Sequence, residues 1–194
     1  MEIAEKSIGI FQDGVFFVSL VPAANASQIV PLIAESMAIK FTDQLSNQKQ
    51  LLDQLHEKEI LNVLDNFEYL LTDDQSTAML DTLLNGTKAV RLLVTSREVL
   101  SLMQERVYLL SGLHYPEAVT LPLQDMPQYN AVDLFVRCAS QKKPRFALNE
   151  KNYQSIMRIC HVFEGLPLGV ELAAATLCKQ GCNEVAEVDR KSVV

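Results

Sequence analysis

Two short apolar runs in this chain end in residues that suit phosphate and metal chemistry. The first is ILNVLDNFE, from Ile60 to Glu68. An apolar strand ending in Asp65 would place a carboxylate at the C-terminal edge of a sheet, the edge where open α/β folds bind ligands. A carboxylate there can hold Mg²⁺, usually through water, beside a nucleotide's phosphates. The plainer reading is that Asp65 only caps the following turn, and an apolar run ending in Asp is common. The second run, from Arg91 to Arg97, reads RLLVTSR. Its two hydroxyls and arginine would stand at the same edge, where the planar guanidinium of Arg97 makes charge-assisted bonds to a terminal phosphate. Against this, Arg97 could be a surface residue paired with Glu98 or Glu105. A third segment, Glu164-Gly165-Leu166-Pro167-Leu168, taken alone is a corner between two helices.

The elements that must position these residues follow from the periodicity. Val15–Leu20, Ile60–Leu64, Val90–Thr95 and Arg106–Leu110 are near-continuous apolar stretches, the pattern of strands covered on both faces. Between them, Ile29, Val30, Ile33 and Met37 recur at helical spacing. Asn47 with Gln50 offers a start for a helix with Leu51, Leu52 and Leu55 on its apolar face. Thr72 with Gln75 does the same for Met79, Leu80, Leu83 and Leu84, with Asp73 and Asp74 favoured at that N-terminus. Alternating strands and helices predict an α/β fold with a parallel sheet.

Beyond Leu113 the character changes. Three prolines between His114 and Pro127 mark a connector. Helical patterns follow, at Val132, Phe135 and Ala139 and at Tyr153, Ile156, Met157 and Cys160. Gly165 is placed to end the latter helix in a left-handed cap, and Pro167 to open the next. The organisation expected is a partial α/β domain over 1–113, a linker over 114–127 and a helical subdomain over 128–194.

Composition excludes several classes. Apolar residues form 48% of the 194-residue chain, enough for a packed core. A net charge of −7 does not attract a phosphate backbone, so direct nucleic-acid contact by this segment is not expected. Cys138, Cys160, Cys178 and Cys182 form no CxxC pair. His56, His114 and His161 fit no metal-ligand motif, and no Ser/His/Asp or Cys/His arrangement is present at recognisable spacing. No apolar run reaches membrane-spanning length, and no signal-peptide pattern opens the chain, so a soluble cytoplasmic protein is expected.

In this order, the segments resemble the STAND class of P-loop ATPases, relatives of the AAA+ and NB-ARC proteins. The match is nearest to the bacterial "predicted ATPase" and large LuxR-type transcriptional regulators. The run from Phe11 to Leu20 looks like the second strand of that family. Leu64-Asp65-Asn66-Phe67-Glu68 looks like its Walker B strand, and Leu93-Val94-Thr95-Ser96-Arg97 is similar to its sensor-1 strand. Gly165-Leu166-Pro167-Leu168 followed by Glu171 to Ala175 looks like its GxP helix.

The resemblance implies ATP or ADP with Mg²⁺ as ligands. Asp65 would be the metal-side and catalytic carboxylate, and Glu68 a second catalytic candidate to position water. Ser96 and Arg97 would face the γ-phosphate, and Pro167 would pack on adenine. It implies a signal-transduction switch with slow hydrolysis in the intact protein, partnered by other domains of the same polypeptide or by further copies.

Two departures stand out. Asn62 interrupts a strand usually apolar throughout, and nothing in the chain matches GxxxxGK followed by Ser or Thr. Met1–Ile10 reads as the tail of a helix, so the phosphate loop and the first strand are expected upstream. ATP binding by this chain alone is therefore expected to be weak or absent. The rival reading is an interaction scaffold of the same fold that does not bind nucleotide.

Overall fold

The computed structural model describes residues 2–42, 45–117 and 121–180, the last four of them in backbone only. The expected subdomain end at 181–194, with Cys182, lies outside the described residues, as does the side chain of Cys178. The chain divides into two compact units, Met1–Val107 and Tyr108–Val194.

The first unit is built on three parallel strands, β1 (Gly14–Ser19), β2 (Ile60–Asp65) and β3 (Arg91–Val94), in the order β1-β2-β3. A short helix, α1 (Glu2–Ser7), precedes them. The crossover from β1 to β2 carries α2 (Ile29–Ser36) and α3 (Asn47–Leu55), and that from β2 to β3 carries α4 (Asp74–Asn85). Parallel strands need such crossovers, so the alternation in the sequence and the α/β sheet have one cause.

Every residue from Ile60 to Leu64 is buried, as a central strand requires. The outer strands are only partly covered. On one face, Val18, Leu20, Ile60 and Leu64 join Ile29, Ile33, Leu51, Leu55, Leu80 and Leu83 in a single core. Asn62 stands in the same row, in register with Phe16 on one side and Leu92 on the other. Its side chain is fully buried, and neither its Nδ2 nor its Oδ1 has a hydrogen-bond partner among the described residues.

The helix starts fall one residue from their expected places. Ser46, not Asn47, caps α3 by accepting from the Lys49 N–H, while Gln50 instead bonds the carbonyls of Thr42 and Leu45. Asp73, not Thr72, caps α4: its Oδ1 accepts from Gln75 and its Oδ2 from the Ala26 N–H. A carboxylate can serve two donors at once, which a threonine hydroxyl does less well.

Arg106–Leu110 is not a strand. Tyr108, Leu109 and Leu110 are 85%, 84% and 87% exposed. Among the described residues β3 pairs only with β2, and no strand is paired with this segment. Its strand-like composition cannot form a ladder without a neighbour.

In the second unit α5 (Asn130–Lys142), α6 (Tyr153–Val162) and α7 (Pro167–Gln180) pack around Phe135, Ile156, Met157, Cys160 and Val170. The last residues of the supposed connector form a 3-10 turn, Leu123–Gln128, whose Met126 is fully buried in that core. Cys138 and Cys160 are free thiols, and burial pushes that of Cys160 up to about 12. Between α6 and α7 the chain reverses at Gly165, with φ +69° and its N–H bonded to the Cys160 carbonyl. This is the left-handed cap expected there. No helix among the described residues is long and apolar enough to cross a membrane.

Candidate site at the C-terminal ends of the parallel strands

Asp65 is the last residue of β2, and Asn66 after it adopts a left-handed conformation (φ 66°, ψ 48°). Asparagine tolerates this region better than most residues. The chain then enters a 3-10 turn, Phe67–Leu70, anchored by the buried Phe67 and Leu70. The turn stops the strand and leaves the Asp65 side chain at the sheet's rim.

Register fixes the neighbours. Ser19 ends β1 opposite Asp65. Leu64 pairs with Val94, so Thr95 follows in step beside Asp65 on the other side. Ser19, Asp65 and Thr95 form a polar row across the strand ends, on the face opposite the Asn62 row. Thr95 Oγ1 donates to Asp65 Oδ1 at 2.6 Å and accepts from the Asn66 N–H at 3.0 Å. The two chains are further joined by Thr95 N–H to the Leu64 carbonyl and Phe67 N–H to the Thr95 carbonyl, both 3.0 Å.

Arg97 leaves the same edge two residues later. It pairs with Glu68, not with Glu98 or Glu105: Nε lies 3.5 Å from Glu68 Oε1. Glu105 is otherwise engaged, accepting from the Leu100 and Leu102 N–H groups. The Arg97 side chain is 83% exposed and that of Glu68 only 16%, so the arginine is the solvent-facing member of a weak pair. Ser96 is half-buried, and its hydroxyl accepts from the Glu98 N–H at 3.3 Å.

Asp65, Glu68, Ser96 and Arg97 thus share one rim with Thr95, the other hydroxyl expected at this edge, and with Ser19, which strand-by-strand reading of the sequence missed. Counting equal steps along three paired strands would have found Ser19. Pro167 belongs to the second unit, where it opens α7 and is exposed.

The donor set suits Mg²⁺ in one manner only. Among the described residues no group of three or more His, Cys, Asp or Glu side chains could cage a metal. A lone carboxylate with adjacent hydroxyls fits an ion that keeps its waters and takes further oxygens from phosphates. The opposite ends of β1 and β2 border a cavity of about 210 Å³, lined mainly by apolar side chains. Its charged residues, Asp13 and Lys58, bond each other at 2.7 Å, which lowers the Asp13 pKa.

No protein-family model matches the chain. It is 27% identical over 187 residues, 96% of its length, to a Mycobacterium tuberculosis protein named "Putative HTH-type transcriptional regulator" and to its Mycobacterium bovis counterpart. It is 31% identical over 121 residues to a Mycobacterium tuberculosis protein named "Uncharacterized protein", matching 62% of this chain and 27% of that one. The chain spans about 20% of the length of the regulators it matches. Among solved structures, one described as "Structure of Drosophila ORC bound to DNA" aligns with 91% of this chain and 50% of its own, at 13% identity and a TM-score of 0.42.

Proposed function

We propose that this chain is part of an ATP/ADP-binding switch domain of a transcriptional regulator. Asp65 would stand on the magnesium side and Arg97 would read the terminal phosphate. The observation that carries the reading is the emergence of Asp65 and the Thr95–Arg97 segment at the C-terminal ends of adjacent parallel strands. The relatives named as regulators support the wider setting.

The roles follow from the chemistry of each group. Asp65 would hold water of a hydrated Mg²⁺. The ion, when bound, supplies positive charge against the phosphates and orients them. Arg97 would exchange the Glu68 carboxylate for a phosphate, a partner of higher charge and matching geometry. Glu68, released, would be free to orient a water in the intact protein, where hydrolysis would be slow. Ser96 would be the further hydroxyl at the phosphate end.

The 194 residues contain no glycine-rich lysine loop, so any affinity of this chain alone would be set by the rim and be weak, no tighter than about 1 mM or about −4 kcal/mol. Two-dimensional NMR with Mg·ATP tests this. Saturable amide shifts are expected at 65–68 and 95–97, and Asp65→Asn or Arg97→Ala should abolish them. Shifts elsewhere only, or shifts unchanged in both variants, would overturn the site and favour the scaffold. Micromolar affinity would overturn the claim that the phosphate cradle is missing.

A further inference from the structure

Thr95 is tied to four consecutive residues of the neighbouring strand end. Its N–H reaches the Leu64 carbonyl, its carbonyl receives the Phe67 N–H, and its hydroxyl joins Asn66 N–H to Asp65 Oδ1. We propose that Thr95 is the positioning residue of this site, its hydroxyl fixing the Asp65 carboxylate and the left-handed turn behind it. The inference rests on the magnesium-side reading of Asp65.

The hydroxyl's two bonds have a definite sense. A backbone N–H can only donate, so the bond from Asn66 uses an oxygen lone pair, and the hydroxyl proton goes to the carboxylate. The β-branch restricts rotation about the Cα–Cβ bond and keeps the hydroxyl on that line. Asp65 is thereby held through Oδ1, while its other oxygen has no hydrogen-bond partner among the described residues. One carboxylate oxygen fixed and one available is the arrangement that presents a ligand atom without leaving its direction to chance. The same hydroxyl steadies Asn66 at φ 66°, a conformation unfavourable for a residue other than glycine. Removing it would loosen both the acid and the turn that aims it. Groups that orient a metal-side carboxylate typically change metal affinity 10–100-fold when lost.

The test compares the wild-type chain with Thr95→Val, Thr95→Ala, Thr95→Ser and Asp65→Asn. Each is titrated with Mn·ATP and with metal-free ATP, and paramagnetic broadening of the amide signals at 65–67 is followed. Thr95→Val and Thr95→Ala should require about tenfold more Mn·ATP for equal broadening. Thr95→Ser should restore it to within about threefold, since it keeps both hydrogen bonds. Metal-free ATP should bind all of them alike, which a general loss of structure would not allow.

Two results would overturn the proposal alone. In one, Asp65→Asn weakens Mn·ATP while the valine and alanine variants behave as wild type. In the other, the serine variant is as impaired as valine. If Asp65→Asn leaves Mn·ATP binding unchanged, the magnesium-side reading falls first and takes the role of Thr95 with it.

Discussion

Replacing Asn62 by valine should stabilise the first unit. The side chain is fully buried between Phe16 and Leu92 on the core face, with both of its polar atoms unpartnered. A buried amide without hydrogen bonds costs roughly 1–3 kcal/mol relative to a group that loses nothing on leaving water. Valine brings β-branching, which suits a strand, and two methyl groups that the surrounding Leu and Ile side chains can pack against. The expected gain is therefore about 1–3 kcal/mol, or several degrees in melting temperature for a unit of this size. Urea unfolding followed by circular dichroism measures it, with the slope expected to stay constant while the midpoint rises.

Ser76 Oγ is also buried and unpartnered, so the Asn62→Val and Ser76→Ala double mutant belongs in the same experiment. If the two groups are independent, their effects should add to within about 0.5 kcal/mol. A neutral or destabilising Asn62→Val would refute the reasoning and mean that the amide is satisfied in solution by internal water.

Gly165→Ala should cost the second unit more than about 2 kcal/mol, because φ is +69° and a Cβ would sit 2.0 Å from the Leu113 carbonyl oxygen. A change of under one degree in thermal unfolding would contradict this. Cys160 should resist thiol reagents at pH 8, since burial both shields it and holds its thiol near 12, leaving almost no thiolate. Peptide mapping after labelling should find it modified only in urea; modification in native buffer at the rate of an exposed cysteine would disprove it.

What the sequence revealed, and what it hid, divides along local and non-local causes. Runs such as Ile60–Leu64 announce themselves because burial on both faces leaves no room for polar alternation. The same criterion misled at Arg106–Leu110, whose composition is strand-like while its environment is solvent: pairing is a property of two segments, and no local pattern contains the second. Helix starts were legible to within a residue, since Ser46 and Asp73 lie beside residues of similar capping chemistry. Asp65 and Arg97 could be read from strand ends. The contact of Arg97 with Glu68 could not, because it depends on how a left-handed residue turns the chain after β2. The bond from Thr95 to Asp65 was hidden for a related reason, as it comes from register rather than from neighbours in the chain.

That register makes the rim a vernier. Ser19, Asp65 and Thr95 meet only because three strands advance in step, each residue alternating faces. One residue inserted within Arg91–Val94 would carry Thr95 to the other side of the sheet. Asp65 would lose its clasp although no rim side chain had been altered. The length of β3 is thus as much a part of this site as the identity of its carboxylate.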